Sequence, residues 1–307
     1  MFALWFIYRK LSSNEDFSAF QNLLLDISKL EISLILGTVV ILMLFNWGIE
    51  ALKWRRLVSK VERISTWRAI ESVFCGLTWA VFTPNRIGEY GGRVFFLSPK
   101  RRIAGVVSMA VGNISQMVLT NVFGAVALCL FLFRFIEMDY RLFYALLVLS
   151  TMFCLFFVLF YFNIKWLNGI LLSFAITRKY KKFYNVLGRY KTKELSNILF
   201  LSFARYLVFS TQYFIMFNWL IPEIPDLDIF MMVSILFFVQ STLPSLDLVD
   251  IGVRSITATY FFGFVTTKDL VVIACVAIIW LINIIIPAIL GSYFVFKLDF
   301  FGNSPRS

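Results

Sequence analysis

The side chains able to do chemistry in this chain are charged groups set in apolar sequence. Arg86, Glu89 and Arg93 fall in the stretch Thr83-Pro84-Asn85-Arg86-Ile87-Gly88-Glu89-Tyr90-Gly91-Gly92-Arg93, with CGLTWAVF before it and VFFL after it. Arg205 stands well inside a later apolar run, and Asp247, Asp250 and Arg254 lie in SLDLVDIGVRS. A guanidinium donates two parallel hydrogen bonds in a planar fork, which suits a phosphate. An arginine buried without an anion is costly, so each needs a carboxylate or a ligand. Two readings fit. In one, Arg86, Arg93, Arg205 and Arg254 bind an anionic head group, and Glu89 and Asp250 hold the arginines between substrates. In the other, the same charges only pair with each other and pin the structure.

Other chemistries are poorly provided for. Histidine is absent, which removes imidazole bases, Ser-His triads and His-ligated metals. Cys75, Cys129, Cys154 and Cys275 are each isolated in an apolar segment without CxxC spacing, so they read as small buried hydrophobes. Asp247 and Asp250 are a weak candidate for a divalent ion. No G-x-x-x-x-G-K-[ST] motif occurs, so ATP-driven work would need a separate partner. No catalytic residue, metal site or cofactor is expected.

The elements that must carry these groups are membrane helices. The chain has 307 residues, of which 60% are hydrophobic and 15% charged, and its mean hydropathy is +0.82. That composition lies outside the range of soluble domains, and the apolar runs near 20 residues long predict an all-α polytopic membrane protein. The net charge of +11 comes from basic residues in short loops, the bias of cytoplasmic loops. It needs no nucleic acid.

Residues 1–8 are apolar but would reach only ~12 Å as a helix against ~30 Å of hydrocarbon. They read as the end of a first crossing that starts upstream, and residues 11–30 as an interfacial helix. Full crossings are expected at 31–52, 105–133, 142–162, 195–221 and 270–296, making about six with the truncated first. Lys53, Trp54, Arg55 and Arg56 read as a cytoplasmic interfacial anchor, with Glu50 paired to one of these cations. Asn113 and Gln116 read as groups that bond helix to helix.

Residues 66–98 are interrupted by Pro84, Gly88, Gly91 and Gly92. They have basic loops at both ends, so they read as a re-entrant hairpin entered from the cytoplasm. Residues 229–264 repeat the pattern, with Pro244 and Gly252 at the break and an acidic or neutral loop at either end, so this hairpin enters from outside. Residues 163–194, basic and aromatic, read as a surface segment on the anionic inner leaflet. Both termini are placed in the cytoplasm.

The two halves thus form an inverted repeat in one membrane domain, the first half about 1–133 and the second about 142–297. Paired interrupted segments in corresponding places point to a transport site between repeats. The stretch TPNRIGEYGGRVFFL also resembles the Pro-x-Arg-x-Gly-Glu…Arg signature of the lysylphosphatidylglycerol synthase transmembrane-region family, the flippase-like family. Ala51-Leu52-Lys53-Trp54-Arg55-Arg56-Leu57 and Leu243-Pro244-Ser245 with Asp250-Ile251-Gly252-Val253-Arg254 resemble two further segments of it.

The resemblance implies an inner-membrane protein acting on a phospholipid or a lipid-linked intermediate. The family's aminoacyl-transferring members add a soluble domain that this sequence does not show, so lysine transfer is not expected. The expected function is translocation of a lipid whose anionic head binds between the two hairpins. The alternatives are a transferase acting on a lipid-linked sugar or other lipid carrier, and a non-catalytic envelope scaffold.

Overall fold

The computed structural model describes residues 28–173, 184–242 and 247–296. These residues are helical throughout their ordered elements. In chain order they form α1 (Lys29–Val58), α2 (Thr66–Val81), α3 (Ile87–Val94), α4 (Arg102–Phe135), α5 (Tyr140–Phe162), α6 (Lys165–Ser173), α7 (Thr192–Leu220), α8 (Asp226–Thr242), α9 (Asp247–Phe262), α10 (Asp269–Trp280) and α11 (Ile286–Phe296). A π-turn at Leu281–Ile285 joins α10 to α11.

Five stretches among the described residues are long and apolar enough to cross a membrane: α1, α4 with the turn before it, α5, α7, and α10 with α11. The shortest, α5, has 23 residues and so reaches ~35 Å against ~30 Å of hydrocarbon. The chain is therefore an all-α protein suited to embedding in a membrane. The expected first crossing at 1–8 and most of the interfacial segment 11–30 lie outside the described residues, as do Pro244, Lys297 and Arg306.

The described residues fall into two compact units. The first takes its residues from Met1–Asn46, Met117–Val158 and Tyr206–Asn283, the second from Trp47–Gln116, Leu159–Arg205 and Ile284–Ser307.

In the first unit α7, α8 and α9 meet through aromatic rings. Phe217 stacks on Phe262 with centroids 4.1 Å apart, and Phe209 on Phe237 at 5.0 Å. Two of the polar groups there have firm partners: Gln212 donates to the Val39 carbonyl at 2.9 Å, and Arg134 pairs with Asp228 at 3.1 Å. Asp228 sits in the first turn of α8, where a carboxylate also faces the positive end of the helix dipole. Helices α8 and α9 pack together on either side of residues 243–246.

The second unit contains the first interrupted segment. Ser65 caps α2, its side chain accepting from the Arg68 amide at 3.1 Å, and α2 stops after 16 residues, ~24 Å. Pro84 then opens a 3-10 turn, and Arg86 takes a left-handed backbone with φ 57°. From there α3 runs back along α2. A Cβ on Gly92 would lie 2.6 Å from the Gly76 Cα, closer than any side chain permits, so two glycines set the spacing of this hairpin.

Its ends are held together as well. The Glu62 carboxylate accepts from the Ser98 amide at 3.0 Å and hydroxyl at 2.7 Å, and Arg101 donates to the Val61 carbonyl at 2.9 Å. The chain thus leaves the hairpin beside the place where it entered. Helix α11 covers the other side of α2, with the Thr78 hydroxyl donating to the Ala288 carbonyl at 2.8 Å.

One local expectation needs correcting. Lys53 and Trp54 are no interfacial anchor: their side chains are buried, while Arg55 and Arg56 are exposed. Within the basic stretch 163–194 the described residues are α6 and a short 3-10 turn at Leu187–Arg189, followed by α7. Tyr190 is buried there and donates to the Leu57 carbonyl at 2.8 Å, and that burial pushes its phenol up to about 12.

Candidate anion site

The charged cluster of the second unit is centred on Glu50, in the penultimate turns of α1. Apolar neighbours on α1 (Met43, Trp47, Ala51 and Trp54) are buried, so the helix turns one face inward and Glu50 and Lys53 lie on it. Lys53 Nζ stands 2.7 Å from Glu50 Oε2, Arg93 Nη1 donates to Glu50 Oε1 at 2.6 Å, and Arg205 Nη1 donates to Glu50 Oε2. Arg93 comes from the end of α3 and Arg205 from α7. Arg205 also lies over the Trp47 ring, 5.1 Å from its centroid, a cation–π contact.

A second carboxylate sits one step further out. Glu89, on α3, accepts from Arg93 Nη2 and from Arg86 Nε, the latter at 3.0 Å. The spacing is helical: Glu89 and Arg93 are four residues apart on one face of α3. Arg86 precedes the helix, and its left-handed backbone turns its side chain onto Glu89. Such a conformation is costly for a residue with a Cβ and concentrates at functional sites. It is the one positive φ among described non-glycine residues.

Exposure rises outward through the cluster. The side chains of Lys53 and Arg93 are 2% exposed and Glu50 4%, whereas Glu89 is 12%, Arg205 16% and Arg86 34%. Four cations surround two carboxylates, leaving these six groups with two more positive than negative charges. Arg93 uses both terminal nitrogens on Glu50 and Glu89, and its Nε–H is buried without a hydrogen-bond partner among the described residues. An unmatched buried donor is unfavourable by roughly 1–3 kcal/mol.

Of the residues expected in the site, Arg86, Glu89, Arg93 and Arg205 come together here. Asp250 and Arg254 form their own ion pair on α9 in the first unit, with Tyr213 beside Arg254. The break falls on Pro84 and Arg86. Gly88, Gly91 and Gly92 lie inside α3, Gly252 lies inside α9, and Pro244 is outside the described residues. Gly88 and Gly92 serve close packing against α2.

Glu50 and Lys53 were missing from the expected site. The signal that could have found them is their place on the buried face of α1: Met43, Trp47, Glu50 and Trp54 follow the 3–4 spacing of a core stripe. Asn113 does bond one element to another, its amide reaching the Tyr90 hydroxyl. No His/Cys/Asp/Glu group among the described residues is arranged to hold a metal ion.

Comparison of the chain with protein-family models, with curated proteins and with solved structures gives no match.

Proposed function

We propose that this protein is a lipid translocator of the cell membrane, and that the cluster around Glu50 binds the anionic head group of a phospholipid or lipid-linked intermediate. One observation carries the reading: four cations around two carboxylates, at a helical break in a chain of long apolar helices. Arg86 and Arg205 are the cluster's more exposed cations, so a phosphate would enter beside them. A guanidinium's planar fork suits a phosphate. Glu89 then acts as the internal stand-in, holding Arg86 and Arg93 when no head group is bound.

The same reading makes the α2–α3 hairpin re-entrant. Its ends are tied to each other by Glu62 and Ser98, and they carry basic residues on both sides, so the hairpin dips into the bilayer from the cytoplasm and returns. Both chain termini then face the cytoplasm.

The test is movement of a labelled anionic phospholipid between leaflets of vesicles containing the purified protein. Arg93→Ala and Glu89→Gln are each expected to slow it at least about tenfold, equivalent to roughly 1.4 kcal/mol. Full activity in both variants rejects the site.

A further inference from the structure

We propose that the first unit carries a separate site, between α4 and α5, for one zwitterionic aminophospholipid. Helix α5 leans on α4 without sealing against it: none of its residues from 140 to 158 is buried. Between the two helices runs an apolar groove of about 370 Å³, lined by Val122, Val126, Leu130 and Leu147 among others. At the loop joining the helices lies a second cavity of about 560 Å³, lined by Arg134, Glu137, Phe135, Tyr140 and Tyr144 among others. Phe133 and Phe143 line both, so the groove opens into the cavity and its chemistry changes from hydrocarbon to polar along one path. An acyl chain with a head group attached has the same profile.

The cavity also fixes the kind of head group. Arg134 bonds Asp228 through one nitrogen, yet its side chain is 47% exposed, so further guanidinium N–H groups face the cavity's side of the loop for a phosphate. Glu137 is exposed and lines the same cavity, where the Phe135 and Tyr140 rings carry the Arg134 and Arg141 guanidiniums. An exposed carboxylate at the mouth pairs with an ammonium group. One cation and one anion at the mouth match phosphate and ammonium of a single head, and Glu137 disfavours a head with net negative charge. This site does not rest on the transport reading, and Arg93→Ala leaves it intact.

The experiment is native mass spectrometry of the full chain after exposure to mixed micelles holding equal phosphatidylethanolamine and phosphatidylglycerol. Wild type is expected to retain phosphatidylethanolamine about fivefold over phosphatidylglycerol, the equivalent of roughly 1 kcal/mol. Glu137→Gln abolishes the preference, and Leu147→Trp, which fills the groove, lowers retention of both by about fivefold.

A second measurement needs no variant. Cys129 and Cys154 line the groove while Cys75 and Cys275 are buried, so maleimide labelling of the first two slows in phosphatidylethanolamine micelles relative to phosphatidylglycerol micelles. Equal retention by wild type, undiminished retention by Leu147→Trp, or labelling indifferent to head group overturns the proposal. So does a dimer in which a second copy shields these cysteines.

Discussion

Replacing Glu50 by glutamine tests the electrostatic logic of the cluster most directly. The side chain keeps its volume and one acceptor oxygen, and only the charge is removed. Lys53, Arg93 and Arg205 all converge on this carboxylate, which is 4% exposed. Glu89 contacts Arg93 and Arg86, so in the variant Arg93 retains a carboxylate while Lys53 and Arg205 lose their shared one. Breaking a buried pair from one side costs about 3–5 kcal/mol. Retention of the Arg93–Glu89 contact puts the expected loss near the bottom of that range, about 3 kcal/mol.

Adding Lys53→Met to Glu50→Gln removes one stranded charge and replaces it with an apolar chain of similar length. The double variant should recover about half of the loss, because charge and carboxylate leave together. The assay is equilibrium unfolding in mixed micelles of mild detergent and dodecyl sulfate, followed by tryptophan fluorescence. Trp47 and Trp54, both buried on α1, report on the site. A Glu50→Gln protein within about 0.5 kcal/mol of wild type refutes the reasoning, as does a double variant less stable than the single one.

Three further outcomes follow from the same unit. Gly92→Ala forces a methyl to within 2.6 Å of the Gly76 Cα and should destabilise by about 1–3 kcal/mol, read in the same unfolding assay. Arg86→Gly relieves the left-handed backbone but frees the unfolded chain and loses the Arg86–Glu89 ion pair, so stability should change by less than about 1 kcal/mol, while anionic-lipid binding in vesicle flotation weakens. Tyr190 is held neutral by burial, with its phenol pushed up to about 12 from an ordinary 10. Its contribution is full below pH 10 and is lost as pH rises to about 12, amounting to roughly 2–3 kcal/mol. Alkaline unfolding followed by circular dichroism should show that loss in wild type and not in Tyr190→Phe.

Much of the architecture was legible because the bilayer imposes a simple rule on sequence. A run of apolar residues long enough to span hydrocarbon has to be helical, and five runs were long enough. The reversal after α2 was legible because Pro84 and the glycines after it make a poor continuation of a helix. The contents of the cluster were legible only in part. Arg86, Glu89 and Arg93 are close in sequence, so the turn that joins them is local. Arg205 could be picked out as a cation in apolar surroundings, but its partner could not. Glu50 lies 155 positions away in sequence, and no spacing rule connects them.

Lys53 was misread for a physical reason. A lysine beside Trp54, Arg55 and Arg56 looks like part of a solvated basic end, and only the helical phase of α1 separates the inward pair from the outward one. The glycines were misassigned in a similar way. Glycine both weakens a helix and lets a neighbour approach closely, and sequence alone does not say which property is used at Gly88 and Gly92.

The close approach at Gly76 has a consequence for how this protein can vary. The space above that residue is shared by the Arg93 side chain, whose Cγ would lie 3.0 Å from a Cβ there, and by the Glu89 carbonyl, also at 3.0 Å. Residue 76 is therefore a shared wall between helix packing and the reach of an arginine toward its carboxylates. Any homologue that enlarges it must surrender either the tight hairpin or the charge at 93, so drift at these two places should be locked together across species.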